Sequence, residues 1–244
     1  MPFTFAHPAV VLPLTKRDGH GLSLTGLIAG AMVPDFEYFI RMHIGSIYSH
    51  TILGLFWFDV PLAVLIAFIF HNLIRNAFYD NPPSVLSTRL STYKLFNWNA
   101  YFKKHWPVVL LSVFVGACSH LLLDDFTHMR GYFVKQAPGF FTQTIIGSIP
   151  LFKILQHSFT LLSTLYIIYY IYHMPETGIK PKPSLKYWAW ISVFTITILI
   201  VRFLIMPDYR DIANVIVSGI TAFLLGLMLV PLFLYRNKPN QDPG

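Results

Sequence analysis

The chain has 244 residues, 55% of them hydrophobic and 12% charged. Soluble domains carry about 25% charged residues, so a water-exposed globular fold is excluded and an all-α polytopic membrane helix bundle is expected. The formal net charge of +7 does not indicate a nucleic-acid partner, because Lys and Arg are scattered between apolar runs and form no single basic stripe.

Residues 1–21 are punctuated by proline and unlike a secretory signal, since Lys16 and Arg17 follow the apolar part. Residues 22–42 hold an apolar, small-residue run too short to cross a bilayer and bent at Pro34-Asp35, which reads as a helix pair or a re-entrant element. The first predicted span is Ile52 to Ile74, with a kink at Pro61, followed by a basic loop over 75–106. The second is Pro107 to Leu123; within it Cys118, the sole cysteine, reads as a small buried thiol and excludes an intrachain disulfide. Residues 124–157 are expected to form a polar connection with a short amphipathic helix near Ile145–Ile154. The third span is Ser158 to Tyr172, the fourth Tyr187 to Met206 and the fifth Ile212 to Leu234, with a basic loop at 174–186. About five spans, or six if 22–42 crosses, make one integral membrane domain over 1–244. It comprises a site-bearing region 1–158, further membrane helices over 159–236 and a polar tail 237–244.

The basic loops 75–106 and 174–186 and the tail belong in the cytoplasm by the positive-inside rule. The first span then starts outside, just after His50. The second ends outside at His120 and Asp124, and the third starts outside beside His157. His50, His120, Asp124, His128 and His157 therefore gather at the extracytoplasmic face, joined by His7, Asp35 and Glu37 if 22–42 does not cross. His71, about 31 Å along the helix from His50, falls at the opposite face; Asp59, about 13 Å along, is a weaker candidate.

Within Ser119–His128, His120 and Asp124 are four residues apart and share one helix face, with His128 one step further. Ionisable groups ending an apolar run are functional by default. An acid at a helix C-terminus is disfavoured by the dipole, and a bound cation relieves that. Imidazole with carboxylate is a donor set for zinc or a similar divalent ion. Asp35 has no basic partner before Arg41, so it calls for a metal or a strong hydrogen-bond set. Taken singly, His7 reads as structural, and His50 and His157 as interfacial; the topology raises His50 to a candidate ligand. His20, His43, His105 and His173 read as surface or interfacial residues.

The segments MPFTFAHPAVVLPL, GAMVPDFEYF, SHTILGLFWFDVPL, SHLLLDDFTH and LQHS resemble a family of uncharacterised bacterial multi-pass membrane proteins, a domain of unknown function. That family is in turn similar to membrane-bound metal-dependent hydrolases. The likeness covers roughly the first two-thirds of the chain. It implies ligand positions at His7, Asp35, His50, His120, Asp124, His128 and His157.

The expected function is thus a metal-dependent hydrolase at the extracytoplasmic face of a bacterial cytoplasmic (inner) membrane. One or two divalent ions, zinc first, are held by His120, Asp124, His50 and Asp35, with His7 or His157 completing the set. Glu37 or Asp125 serves as the spare acid that moves a proton. Its partners are membrane lipid and a lipid-linked ester or phosphoester. The alternatives are a transporter or a protein whose ion staples helices. Sparse polar residues in the later spans, mainly Arg202, favour a one-sided site over a conduit.

Overall fold

The computed structural model describes residues 3–15, 21–83, 86–90, 93–176 and 181–234. Lys16, Arg17 and His20 and the expected polar tail 237–244 lie outside the described residues. Two short helices come first, α1 (Leu24–Met32) and α2 (Phe36–Arg41), joined by the 3-10 turn Val33–Asp35. Among the described residues, five helices are long and apolar enough to cross a membrane: α3 (Ile52–Asp80), α4 (which begins at Trp98), α5 (Leu151–Tyr172), α6 (Leu185–Ile205) and α7 (Ile212–Leu234). Apolar side chains remain exposed along them, such as Leu161, Leu165 and Ile168 on α5 and Ile196, Ile200 and Leu204 on α6. In water that exposure is unfavourable and in hydrocarbon it is the normal state, so the protein is a multi-pass helical membrane protein.

Three expected boundaries are corrected. The expected loop 75–106 is partly helical, since α3 continues to Asp80 and α4 (Trp98–Thr127) starts before Pro107. α4 bends at His105 (φ −124°, ψ 22°), two residues before a proline that cannot donate to the preceding turn. The expected amphipathic helix near Ile145–Ile154 is instead a hairpin of β1 (Thr144–Ile146) and β2 (Ile149–Pro150), followed directly by α5. β-Branched Thr144, Ile145, Ile146 and Ile149 favour strand, and Gly147 supplies the left-handed turn at φ +57°. Near the expected kink at Pro61, α3 widens into a π-helical turn over Leu55–Asp59, where the proline leaves a carbonyl one turn earlier without its donor.

The chain forms two compact units. The first comprises Met1–Glu37, Ser46–Ala67 and Asn99–Met174. In it α1 lies parallel to the second half of α4. The Ser23 N–H donates to Ser112 Oγ (2.7 Å) and His120 Nδ1 donates to the Ala31 carbonyl (2.8 Å), so the register is constant along the pair. Glycines permit the approach: a Cβ on Gly30 would lie 2.1 Å from the Val113 carbonyl, and one on Gly116 would lie 2.4 Å from that of Leu27. Gly26-x-x-x-Gly30 facing Ser112-x-x-x-Gly116 is the small-residue pattern of tightly packed membrane helices. The N-terminal turns Thr4–Ala6 and Pro8–Val11 return alongside α1, with Val11 packed on Leu27 and Ala31. The N-terminal turns and α1 therefore lie side by side as the arms of a helical hairpin, with Thr4 and Asp35 both level with His120; α1 and α2 are the helix pair, one of the two readings of 22–42.

The second unit comprises Tyr38–Gly45, Phe68–Trp98 and Pro175–Gly244. Its core is Ala77, Tyr187, Ile191, Leu227 and Val230. The buried Arg202 guanidinium donates to the Met42 carbonyl (2.9 Å), the Met206 carbonyl (2.7 Å) and Asp208 Oδ2 (2.9 Å), pinning the end of α2 to α6. His71 sits in this unit, stacked on Trp98 at 4.6 Å.

Candidate metal centre

Three segments of the first unit meet at the C-terminal turns of α4. His120 and Asp124 come from α4, Asp35 from the turn after α1, and His50 from the loop ahead of α3. His50 Nε2 lies 3.5 Å from both Asp35 Oδ1 and Asp124 Oδ2; His120 Nε2 lies 3.6 Å from Asp35 Oδ1 and 3.5 Å from Asp124 Oδ2. Asp35 and His120 are fully buried. Because a carbonyl only accepts, the His120–Ala31 bond puts the proton on Nδ1 and turns Nε2 toward the two carboxylates. Neither His120 Nε2 nor Asp35 Oδ1 has a hydrogen-bond partner among the described residues.

Distances decide what this arrangement suits. A charge-assisted N–H···O bond closes to about 2.7–2.9 Å. A tetrahedral cation bound at about 2.0–2.1 Å sets its donors about 3.3–3.4 Å apart. The four imidazole–carboxylate spacings, 3.5–3.6 Å, lie nearer the second case, and ligand atoms of His50, His120 and Asp124, and of His7, Asp35 and His120, form two overlapping trios within 4.8 Å. Two imidazole nitrogens and two carboxylate oxygens are borderline donors suited to zinc and its neighbours and poorly suited to calcium.

Local structure holds each donor. Thr4 Oγ1 donates to Asp35 Oδ2 (2.5 Å), leaving Oδ1 for the centre. His50 adopts a left-handed backbone (φ 59°), a strained state for a residue other than glycine, with Nδ1 3.0 Å from Ser49 Oγ. Glu37 pins that turn: its carboxylate accepts the backbone N–H groups of Ile47 (2.7 Å), Tyr48 (3.0 Å) and Ser49 (2.8 Å). Burial would push the Glu37 carboxyl up, but these three donors hold it below the usual range, so it is an anion. Glu37→Gln keeps the size and loses an acceptor and the charge. It should weaken divalent-cation binding about 10–100-fold, as loss of an outer hydrogen-bond partner does, with the protein still folded; titration of chelator-stripped protein measures this.

The two carboxylates dominate the electrostatics of the cluster. Burial would depress the His50 imidazole, but Asp124 and Asp35 outweigh it and push it up to about 9. Burial would raise the Asp35 carboxyl, but His120 and His50 hold it below the usual range. Burial, with His120 alongside, lowers His7, so that imidazole is neutral at pH 7.

Of the expected residues, the structure brings together His7, Asp35, His50, His120 and Asp124. His7 Nε2 is 3.5 Å from Asp124 Oδ1, and half-buried His128 stands beside them, Nδ1 3.3 Å from the same oxygen. His157 is a correction: it is exposed on α5, and Phe159 faces His7 instead, with ring centroids 5.9 Å apart. Residues two apart on a helix point to opposite sides. The two spare acids are also corrected. Both Glu37 oxygens are committed to backbone N–H groups, and Asp125 Oδ1 accepts from the Tyr132 N–H (2.9 Å), tying down the next turn. Asp59 is fully buried with no hydrogen-bond partner for either oxygen among the described residues, and it belongs to neither trio of ligand atoms found within 4.8 Å of one another. Thr4 and Ser49 were not anticipated; Thr4 meets Asp35 across 31 positions of sequence, a separation no local motif signals.

Fold and site together define a polytopic membrane protein with a buried imidazole–carboxylate cluster near the end of a spanning helix. The chain belongs to the family described as Domain of unknown function (DUF4184), which matches residues 1–232 and so extends well past the expected first two-thirds. No curated protein and no solved structure matches the chain.

Proposed function

We propose that this protein is a metal-dependent hydrolase of a bacterial inner membrane, holding a divalent cation, zinc first, at the extracytoplasmic face and acting on a lipid or lipid-linked ester or phosphoester. The observation that carries the reading is the convergence of His50 and His120 on Asp35 and Asp124, with each imidazole nitrogen 3.5–3.6 Å from an oxygen of each carboxylate. A cation at this point supplies a Lewis acid that acidifies water and polarises an ester or phosphoester oxygen. The chain's part is to hold four donors rigid from three segments and to leave one side accessible: His50 and Asp124 keep 18% and 13% of their side chains exposed, against 0% for Asp35 and His120. A shallow apolar depression lined by Phe56, Val60, Leu110, Leu111 and Phe114 in the same unit would suit an acyl chain.

A second reading has its own support. Four protein donors fill a tetrahedral shell, as in structural sites, so the ion would staple the hairpin, α3 and α4 together. Elemental analysis of the purified protein, with His120→Ala beside it, tests both readings: about one or more divalent ions in the wild type and none in the variant are expected. A metal-free wild type overturns both. Chelation that abolishes ester or phosphoester turnover while the helices stay folded favours the hydrolase; chelation that unfolds the protein favours the staple.

Cation uptake should also release a proton. His50 is protonated below about 9 in the cation-free state, so a cation must displace that proton, and apparent affinity should rise about tenfold per pH unit between about 6.5 and 9. Calorimetric titration in buffers of different ionisation heat measures the released proton.

A further inference from the structure

His7 is not explained by a single ion. Its imidazole is 1% exposed, and neither ring nitrogen has a hydrogen-bond partner among the described residues. It stacks on His120 with ring centroids 3.8 Å apart and planes 14° from parallel. Both rings point their Nε2 atoms at one carboxylate, each at its own oxygen: His120 at Asp124 Oδ2 (3.5 Å) and His7 at Asp124 Oδ1 (3.5 Å).

An imidazole lone pair lies in the ring plane. Two nearly parallel planes offset by 3.8 Å do not aim at one point, so a single cation cannot sit on both lone-pair axes. Two cations can. Paired cations in hydrolytic sites stand about 3.5–4 Å apart, which is the spacing of the stacked rings.

We propose that the centre is dinuclear, with Asp124 bridging its two cations. This rests on the metal-centre reading above and deepens it. One subsite is His50, His120, Asp35 Oδ1 and Asp124 Oδ2. The other is His7 Nε2 and Asp124 Oδ1, with His128 beside that oxygen, Asp35 within 4.8 Å of His7 and solvent completing the shell. The second subsite has fewer protein donors and is the weaker of the two. Two divalent ions against the carboxylates of Asp35 and Asp124 leave the centre with net positive charge. That suits an anionic phosphoester better than a neutral carboxylic ester, so the substrate class is a phosphoester carried on a lipid.

The test is titration of the chelator-stripped full chain with Mn²⁺, followed by electron paramagnetic resonance. The wild type should take two equivalents, the second more weakly. The isolated-ion signal seen at one equivalent should give way to a spin-coupled signal at two, and inorganic phosphate should perturb that coupled signal. His7→Ala should take one equivalent, with the uncoupled signal kept and the first affinity within about tenfold of wild type. One uncoupled equivalent in the wild type overturns the dinuclear proposal and spares the metal-centre reading. No bound Mn²⁺, Zn²⁺ or other divalent ion in the wild type overturns that reading itself. Because the wild-type spectrum decides alone, a misfolded variant does not protect the proposal. A coupled centre indifferent to phosphate overturns the substrate class.

Discussion

Asp124→Asn is expected to strip the cation from the protein. Its carboxylate lies 3.5 Å from His7, His50 and His120 and 3.3 Å from His128, so every imidazole of the cluster faces this one side chain. Asparagine keeps the shape but offers one neutral oxygen and turns an N–H₂ toward the cluster. Losing an outer hydrogen-bond partner of a metal ligand costs about 10–100-fold in affinity, and losing a charged ligand should cost more than about 100-fold. The residual metal after desalting, measured by elemental analysis, should fall to background, and hydrolytic turnover with it. Asp125→Asn is the internal control. That residue is the chain neighbour, but its carboxylate serves the Tyr132 N–H (2.9 Å), so the variant should keep its metal. Equal metal content in wild type and Asp124→Asn would remove the basis for the centre.

Gly30→Ala should be nearly as damaging, although no ligand is touched. The new methyl would sit 2.1 Å from the Val113 carbonyl oxygen and 2.9 Å from its Cα. All the crowded atoms belong to backbone, so no side chain can rotate away and α1 must lift from α4. Overpacking of this kind costs about 1–3 kcal/mol, and the absence of any yielding side chain places this site at about 3 kcal/mol. The displaced helix carries Asp35 away from His120, so cation affinity should fall together with the melting temperature in detergent. Gly219 in α7 is the contrast, because nothing lies within 4 Å of a Cβ placed there. Gly219→Ala should leave stability unchanged or raise it by up to about 1 kcal/mol, since alanine is the better helix former. If the two substitutions behave alike, the close approach of α1 and α4 is not what holds the site.

What the amino-acid order determines unaided is the membrane character and the seed of the site. The span Ile212–Leu234 is legible to the residue because an unbroken apolar run admits no other reading. His120 and Asp124 are legible because spacing of four on a helix places two side chains on one face whatever surrounds them. The hairpin at 144–150 is not legible as such because four residues of Ile and Thr around a glycine carry weak period information, though a strong strand preference.

The rest is decided by tertiary packing. His7 and Asp35 reach His120 only because α1 docks in register along α4 through Ser23–Ser112 and Ala31–His120, contacts 89 residues apart in sequence. Rotation of a spanning helix is the other hidden quantity. In water an apolar stripe marks the face that turns inward, but in a bilayer both faces of α5 are apolar, so nothing local says that Phe159 turns toward His7 and His157 away. The role of Glu37 is hidden for a related reason: its carboxylate looks reactive in isolation, and only the loop folding back onto it supplies the three backbone N–H groups that commit it.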